Sequence, residues 1–136
     1  MGKTVLVDGG YLVALLNRND QYMEWAAMQA ARLPYPWLTC EAALSEAFHL
    51  LGRRGSPKLT ELLRRGLALP KFNLESELQP VLSLLNKYSN VPMSLADACL
   101  VRMTEICPDP VLATTDSDFL IYRRHSRQVI PCLLPE

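Results

Sequence analysis

Residues 4–10 read Thr-Val-Leu-Val-Asp-Gly-Gly, and this short stretch decides the fold. Thr4 to Val7 is β-branched and apolar without alternation. That is the pattern of a strand covered on both faces, so it predicts a parallel sheet layered between helices. Asp8 stops the run and Gly9-Gly10 breaks it. Residues 111–116, Val-Leu-Ala-Thr-Thr-Asp, repeat the arrangement, with a core strand over Val111 to Thr115 delivering Asp116 at its end. Open parallel sheets bind ligands beyond the carboxyl ends of their strands, near the switch point. Two carboxylates delivered to that edge by different strands mark it as the candidate site.

The remaining chain alternates between strand and helix signals. Trp37 to Thr39 is a second strand, Pro70 to Phe72 a short edge strand, and Val129 to Cys132 the last strand. Helices are predicted over Tyr11 to Leu16, Gln21 to Leu33 with Asp20 as cap, and Glu41 to Leu51. Ser56-Pro57 pairs an N-cap with a first-turn proline, opening a helix that Gly66 ends. Ser76 to Tyr88 has Pro80 near its first turn, where proline is tolerated. Ser94 to Ile106 and Asp118 to Arg124 complete the helices. The alternation indicates an α/β fold with a mainly parallel sheet, as one domain over residues 1–136. No internal repeat, low-complexity tract or interdomain linker interrupts it.

Half of the 136 residues are hydrophobic (49%) and 21% are charged, the composition of a soluble globular domain. No apolar run approaches the roughly 18 residues of a membrane span. Lys3 is followed by only four residues before Asp8, so no signal peptide is expected, and a cytoplasmic location follows. Cys40, Cys99, Cys107 and Cys132 show no Cys-x-x-Cys pairing, which argues for inert thiols rather than a zinc site. Fourteen basic residues balance fourteen acidic ones, so net charge argues neither for nor against nucleic acid. The distribution says more. Arg53, Arg54, Lys58, Arg64 and Arg65 form one basic cluster, and Arg123, Arg124, His125 and Arg127 another. A solvated helix face is the plainer reading of either cluster alone.

Four acids stand out: Asp8, Glu46 in Leu-Ser-Glu-Ala, Asp97 in Ser-Leu-Ala-Asp, and Asp116. No Lys or Arg adjoins Asp8, Glu46 or Asp116, and a desolvated carboxylate is costly without a partner for its charge. Local readings compete for three of them. Ser94 with Asp97 is a capping box, Asp116 before Asp118 is an Asx-turn, and Asp8 before Gly-Gly is a turn residue. Glu46, between Leu44 and Phe48 on an apolar helix face, has the least structural use. Four unpaired carboxylates at one sheet edge repel one another, and a bound Mg²⁺ or Mn²⁺ removes that penalty. His49 and His125 are too few for a histidine-rich metal site, although His49, three residues after Glu46, could support that acid. No phosphate-cradling loop, dinucleotide fingerprint, serine elbow or nucleophile triad is present. Acidic clusters with Mg²⁺ equip enzymes that cleave phosphodiesters.

Across nearly its whole length the chain resembles the PIN-domain nucleases, and most closely the VapC-like ribonuclease toxins of type II toxin–antitoxin systems. The likeness rests on the strand ending in Asp8 with residues 11–20 after it, Leu-Ser-Glu-Ala at 44–47, and Leu-Asn-Lys-Tyr at 85–88. It continues through residues 91–101 and Leu-Ala-Thr-Thr-Asp-Ser-Asp-Phe at 112–119. It implies a three-layer α/β/α fold and a Mg²⁺-dependent endoribonuclease, with Mn²⁺ as a substitute. The implied acidic quartet is Asp8, Glu46, Asp97 and Asp116, with Asp118 as an auxiliary acid. Arg53, Arg54, Lys58, Arg123 and Arg124 become candidates for RNA-backbone contacts. The family usually places Thr or Ser after the first aspartate. This chain has Gly9 and Gly10 there, which removes a hydroxyl from the pocket. The resemblance also implies a homodimer and a small antitoxin partner, with Tyr22, Trp25 and the Leu59 to Leu63 face as surfaces for these contacts. The alternatives are a housekeeping nuclease without an antitoxin, and a PIN-like binding module without catalysis.

Overall fold

The computed structural model describes residues 2–136. β1 (Thr4–Val7) lies at the centre of a five-stranded parallel sheet. It pairs with β4 (Pro110–Ala113) from Thr4 opposite Pro110 to Val7 opposite Ala113. On its other side it pairs with β2 (Trp37–Leu38), Leu6 opposite Leu38. β3 (Ala68–Leu69) and β7 (Cys132–Leu133) form the edges, giving the order β3-β2-β1-β4-β7. The chain leaves β1 towards β2 and returns later on the opposite side as β4. The switch point therefore lies between β1 and β4, where Asp8 and Asp116 leave the sheet.

Alternate residues of the two central strands enter different cores. Leu6 and Leu112 pack in one cluster with Val81 of α4 (Leu78–Lys87) and with Leu100 and Met103 of α5 (Leu95–Ile106). Val5, Val7, Val111 and Ala113 pack in the other cluster. Their partners there include Tyr11 and Leu12 of α1 (Gly9–Leu16), Ala26 of α2 (Met23–Ala30) and Leu59 of α3 (Glu41–Arg64). Side chains on a strand alternate between its faces, and here both faces are covered. That is why the strands read as unbroken apolar runs.

Several boundaries differ from expectation. α3 runs from Glu41 to Arg64 with a kink at Gly52, whose φ is +64°. Gly52, not Ser56, therefore opens the second segment, and the Ser56 hydroxyl donates back to the Gly52 carbonyl. Its end is as expected: Gly66 has φ +71°, its N–H reaches Leu63 O at 3.1 Å, and Leu67 N–H reaches Leu62 O at 3.0 Å. These two bonds make a Schellman cap. The predicted edge strand at Pro70 to Phe72 is instead Ala68–Leu69. The predicted helix over Asp118 to Arg124 is a 3₁₀ turn at Ser117–Leu120, and Arg123–Arg124 belongs to a hairpin. That hairpin pairs β5 (Arg123–Arg124) with β6 (Gln128–Val129), the chain reversing through His125 and Ser126 at positive φ. The single last strand expected over Val129 to Cys132 is thereby divided between β6 and β7. Among the described residues, no helix is long and apolar enough to cross a membrane.

Candidate active site

Asp8 sits where β1 passes into α1, and it is the one buried carboxylate among the described residues. Its Oδ1 accepts the Tyr11 N–H at 2.7 Å, capping α1. Its Oδ2 accepts the Thr114 hydroxyl from the end of β4. The same Thr114 oxygen accepts the Asp116 N–H at 2.9 Å, so one buried hydroxyl ties the two strand-end acids together. Asp116 Oδ1 in turn accepts the Asp118 N–H at 2.9 Å and caps the 3₁₀ turn.

Asp97 is held from α5. The Ser94 hydroxyl accepts the Asp97 N–H at 3.0 Å, and Asp97 Oδ2 accepts the Ser94 N–H at 3.1 Å, completing the capping box. The Tyr122 hydroxyl donates to that same Oδ2 at 3.2 Å. The local structural readings and the functional one therefore do not compete. In Asp97 and Asp116 the caps engage one carboxylate oxygen, and no hydrogen bond among the described residues uses the other.

Asp8, Glu46, Asp97 and Asp116 line a single cavity of about 470 Å³, with Gly9, Gly10 and Thr115 in its wall. Among the described residues the ion pairs are Lys3–Asp109, Arg64–Glu61, and Arg102 with Glu77 and Glu105. None of them reaches the four acids. Burial pushes the Asp8 carboxyl up to about 7, and the charges of Asp116 and Asp97 add to this against the Thr114 and Tyr11 hydrogen bonds. Burial also raises Asp97, as does the Asp116 charge, against its bonds to Ser94 and Tyr122. Glu46 is raised by partial burial and then by Asp97 and Asp116. Burial is the leading cause of all three shifts, and the mutual repulsion of the acids adds to each.

Glu46 departs from its sequence reading. It is exposed, at the rim of the cavity rather than on an apolar helix face. Asp118 does not line the cavity; its backbone N–H braces Asp116. His49 is also exposed and outside the cavity lining. Gly9 has a steric reason: a Cβ there would stand 2.9 Å from the Ala43 carbonyl and 3.1 Å from Glu46 Oε1. At Gly10 it would meet the Thr115 hydroxyl at 2.6 Å and Asp8 Oδ1 at 3.5 Å. The Thr115 hydroxyl thus lies over Gly10 in the wall of the same cavity.

The basic candidates separate. Arg123 Nη1 donates to the Leu120, Ile121 and Tyr122 carbonyls, and Arg124 to the Thr104 carbonyl and to Gln128, so both brace the hairpin. Arg53, Arg54 and Lys58 are exposed on α3, just past its kink. The Tyr22 and Trp25 stripe and the Leu59 to Leu63 face pack into the second core cluster. Sequence reading missed Thr114, Thr115 and Tyr122. The two threonines were visible as Thr-Thr before Asp116, whereas Tyr122 lies 25 residues from Asp97 with no local signal.

As the side chains stand, no three His, Cys, Asp or Glu groups among the described residues are gathered tightly enough to hold one metal ion. The four acids nonetheless provide an all-oxygen donor set without a cationic partner, which fits a hard divalent ion. No protein-family model matches the chain, and no curated protein matches it. Among solved structures it is similar to VapC20 of Mycobacterium tuberculosis, a toxin that cleaves the sarcin–ricin loop. That likeness has a TM-score of 0.67 at 21% identity, over 84% of this chain and 91% of the other. The two share the three-layer α/β/α, PIN-like fold that the sequence led us to expect.

Proposed function

We propose that this protein is a metal-dependent endoribonuclease, the toxin of a toxin–antitoxin pair. One observation carries the reading: four carboxylates from four separate segments line one cavity without a basic partner. The RNA-cleaving activity named for VapC20, which has the same fold, supports it. Asp8 and Asp97 would hold Mg²⁺ or Mn²⁺ directly, with Asp116 helping and Glu46 acting through water. When bound, the ion neutralises charge at the scissile phosphate and acidifies a coordinated water.

The protein's own part is to preset the oxygens. Tyr11 N–H and the Thr114 hydroxyl hold Asp8, and Ser94 with Tyr122 hold Asp97, so the two carboxylates would be oriented before substrate arrives. The set as a whole would still have to draw together around an ion. Glu46, exposed at the rim with its affinity for protons raised, would orient the attacking water and accept its proton. In-line attack would leave a 5′-phosphate and a 3′-hydroxyl. A homodimer, a small antitoxin and a cytoplasmic location belong to the same reading.

The looseness of the acid set as it stands favours a second reading, a PIN-fold module that binds without cleaving. Purified protein incubated with structured RNA separates the two. Cleavage that needs Mg²⁺ or Mn²⁺ and vanishes in Asp8→Asn and Asp97→Asn is expected. Cleavage undiminished in either variant contradicts the assignment.

A further inference from the structure

A second cavity, of about 500 Å³, opens at the other end of α1, between the 16–19 loop and the part of α3 beyond its kink. Its floor is apolar, from Leu16 and Leu51, and its wall carries Arg18, Arg54 and Lys58 with no acidic residue. None of these three cations takes part in an ion pair among the described residues. In a chain whose charges balance overall, three unpaired cations around one concavity create a locally positive field. The break at Gly52 adds to it. The helix segment restarting after Gly52 turns its positive end towards this region, and Arg54 lies in that segment's first turn.

α1 and α3 pack along each other, and both run from one cavity to the other. Gly9 and Glu46 line the acidic cavity; Leu16 and Leu51 line the basic one. Eight residues of α1 put about 12 Å between its ends. That is a span a single-stranded polyanion crosses in a few nucleotides.

We propose that the cavity at the α1 end and the α3 kink binds a backbone phosphate of the RNA substrate, a few nucleotides from the bond cut in the acidic cavity. The proposal rests on the nuclease reading above and adds Arg18 to the binding set. Two features define the site. Arginine and lysine grip phosphate without reading sequence, and no acidic residue lines the cavity to repel it. Arg53, on the same segment but outside the cavity lining, is left out of it.

The test measures binding rather than cleavage, so it survives failure of the nuclease reading. A fluorescent single-stranded RNA of about ten nucleotides is titrated with Asp97→Asn protein and with Asp97→Asn carrying Arg54→Gln and Lys58→Gln. Titrations run from low to high salt, and circular dichroism checks the fold. The expected result is roughly tenfold weaker binding, with a salt slope shallower by about one and recovered by Arg54→Lys. Unchanged affinity and slope would overturn the site. Inorganic phosphate that shifts the amide resonances around Arg54 while RNA affinity stays constant would also overturn it, as a free-anion site only. Loss of RNA binding that appears equally in Arg53→Gln would show diffuse surface charge and overturn the cavity assignment.

Discussion

The two ends of the α1–α3 seam are built in opposite ways. At the acidic end every aspartate is fixed by the backbone. Asp8 caps α1, Asp97 closes a capping box and Asp116 caps a 3₁₀ turn. At the basic end Arg18, Arg54 and Lys58 are exposed side chains over an apolar floor, with no hydrogen bond among the described residues fixing their heads. On the proposed reading, chemistry that needs close placement would fall to aspartates on element termini, and attraction that needs only charge to cations on flexible stems. Changes at the acidic end should therefore act through geometry and in large steps, and changes at the basic end through salt-dependent affinity in small ones.

The largest contrast is catalytic. Asp97→Asn should lower RNA cleavage about a thousandfold, ~4 kcal/mol of transition-state stabilisation, without unfolding the protein. Single-turnover cleavage at saturating protein measures it. A loss as large from Lys58→Gln under the same saturating conditions would break the contrast between the two ends.

Stability against pH comes next. In chelator, Asp8 holds a proton in the folded state up to about pH 7, while an unfolded aspartate releases it near pH 4. The unfolded chain therefore binds fewer protons between those values, and stability falls as pH rises through that window. The shift from 3.8 to about 7 sets the size on the order of 4 kcal/mol at full ionisation, at 1.36 kcal/mol per unit. Glu46 and Asp97 shift the same way. Urea unfolding at pH 4.5 and pH 8 should show the decline, and Asp8→Asn should flatten most of it. A stability that rises over this range would mean that the acids are already paired.

Packing sharpens the comparison further. Gly9→Ala puts a methyl against the Ala43 carbonyl and beside Glu46, so α1 and α3 must separate at the acidic end. A loss of about 2 kcal/mol is expected, with reduced cleavage because Glu46 is displaced. Tyr122→Phe removes one hydrogen bond to Asp97, a smaller change of about 1 kcal/mol. A drop in kcat with KM held would mark Tyr122 as a positioning residue; equal stability and equal kcat would leave it a core aromatic.

What the sequence made legible follows the same division. Signals written in neighbouring residues came through. The Ser94 and Asp97 capping box and the Gly66 stop both have the predicted hydrogen bonds. Signals that depend on tertiary approach did not. The first helix ends at Leu51 as expected, but the next segment restarts directly after Gly52, whose φ is +64°, and not at the Ser56-Pro57 signal. The hairpin at Arg123 to Val129 carries too few alternating residues to declare itself, and the Arg124 guanidinium ties it to one distant carbonyl, that of Thr104. Glu46 was placed on an apolar face because Leu44 and Phe48 flank it, yet its own side chain turns to the cavity rim. The three aspartates were legible because each is a cap, and a cap has a local grammar. Their convergence was legible only through strand order, which puts β1 beside β4 at the switch point.

The central claim is that the four carboxylates form one divalent-cation site, and calorimetric titration with Mn²⁺ tests it most directly. At neutral pH the protein should bind Mn²⁺ with measurable heat and release protons in doing so, since ionising Asp8 must accompany binding. Asp8→Asn and Asp97→Asn should each abolish or strongly weaken that binding. A protein that binds no Mn²⁺, or binds it equally well in both variants, would contradict the account.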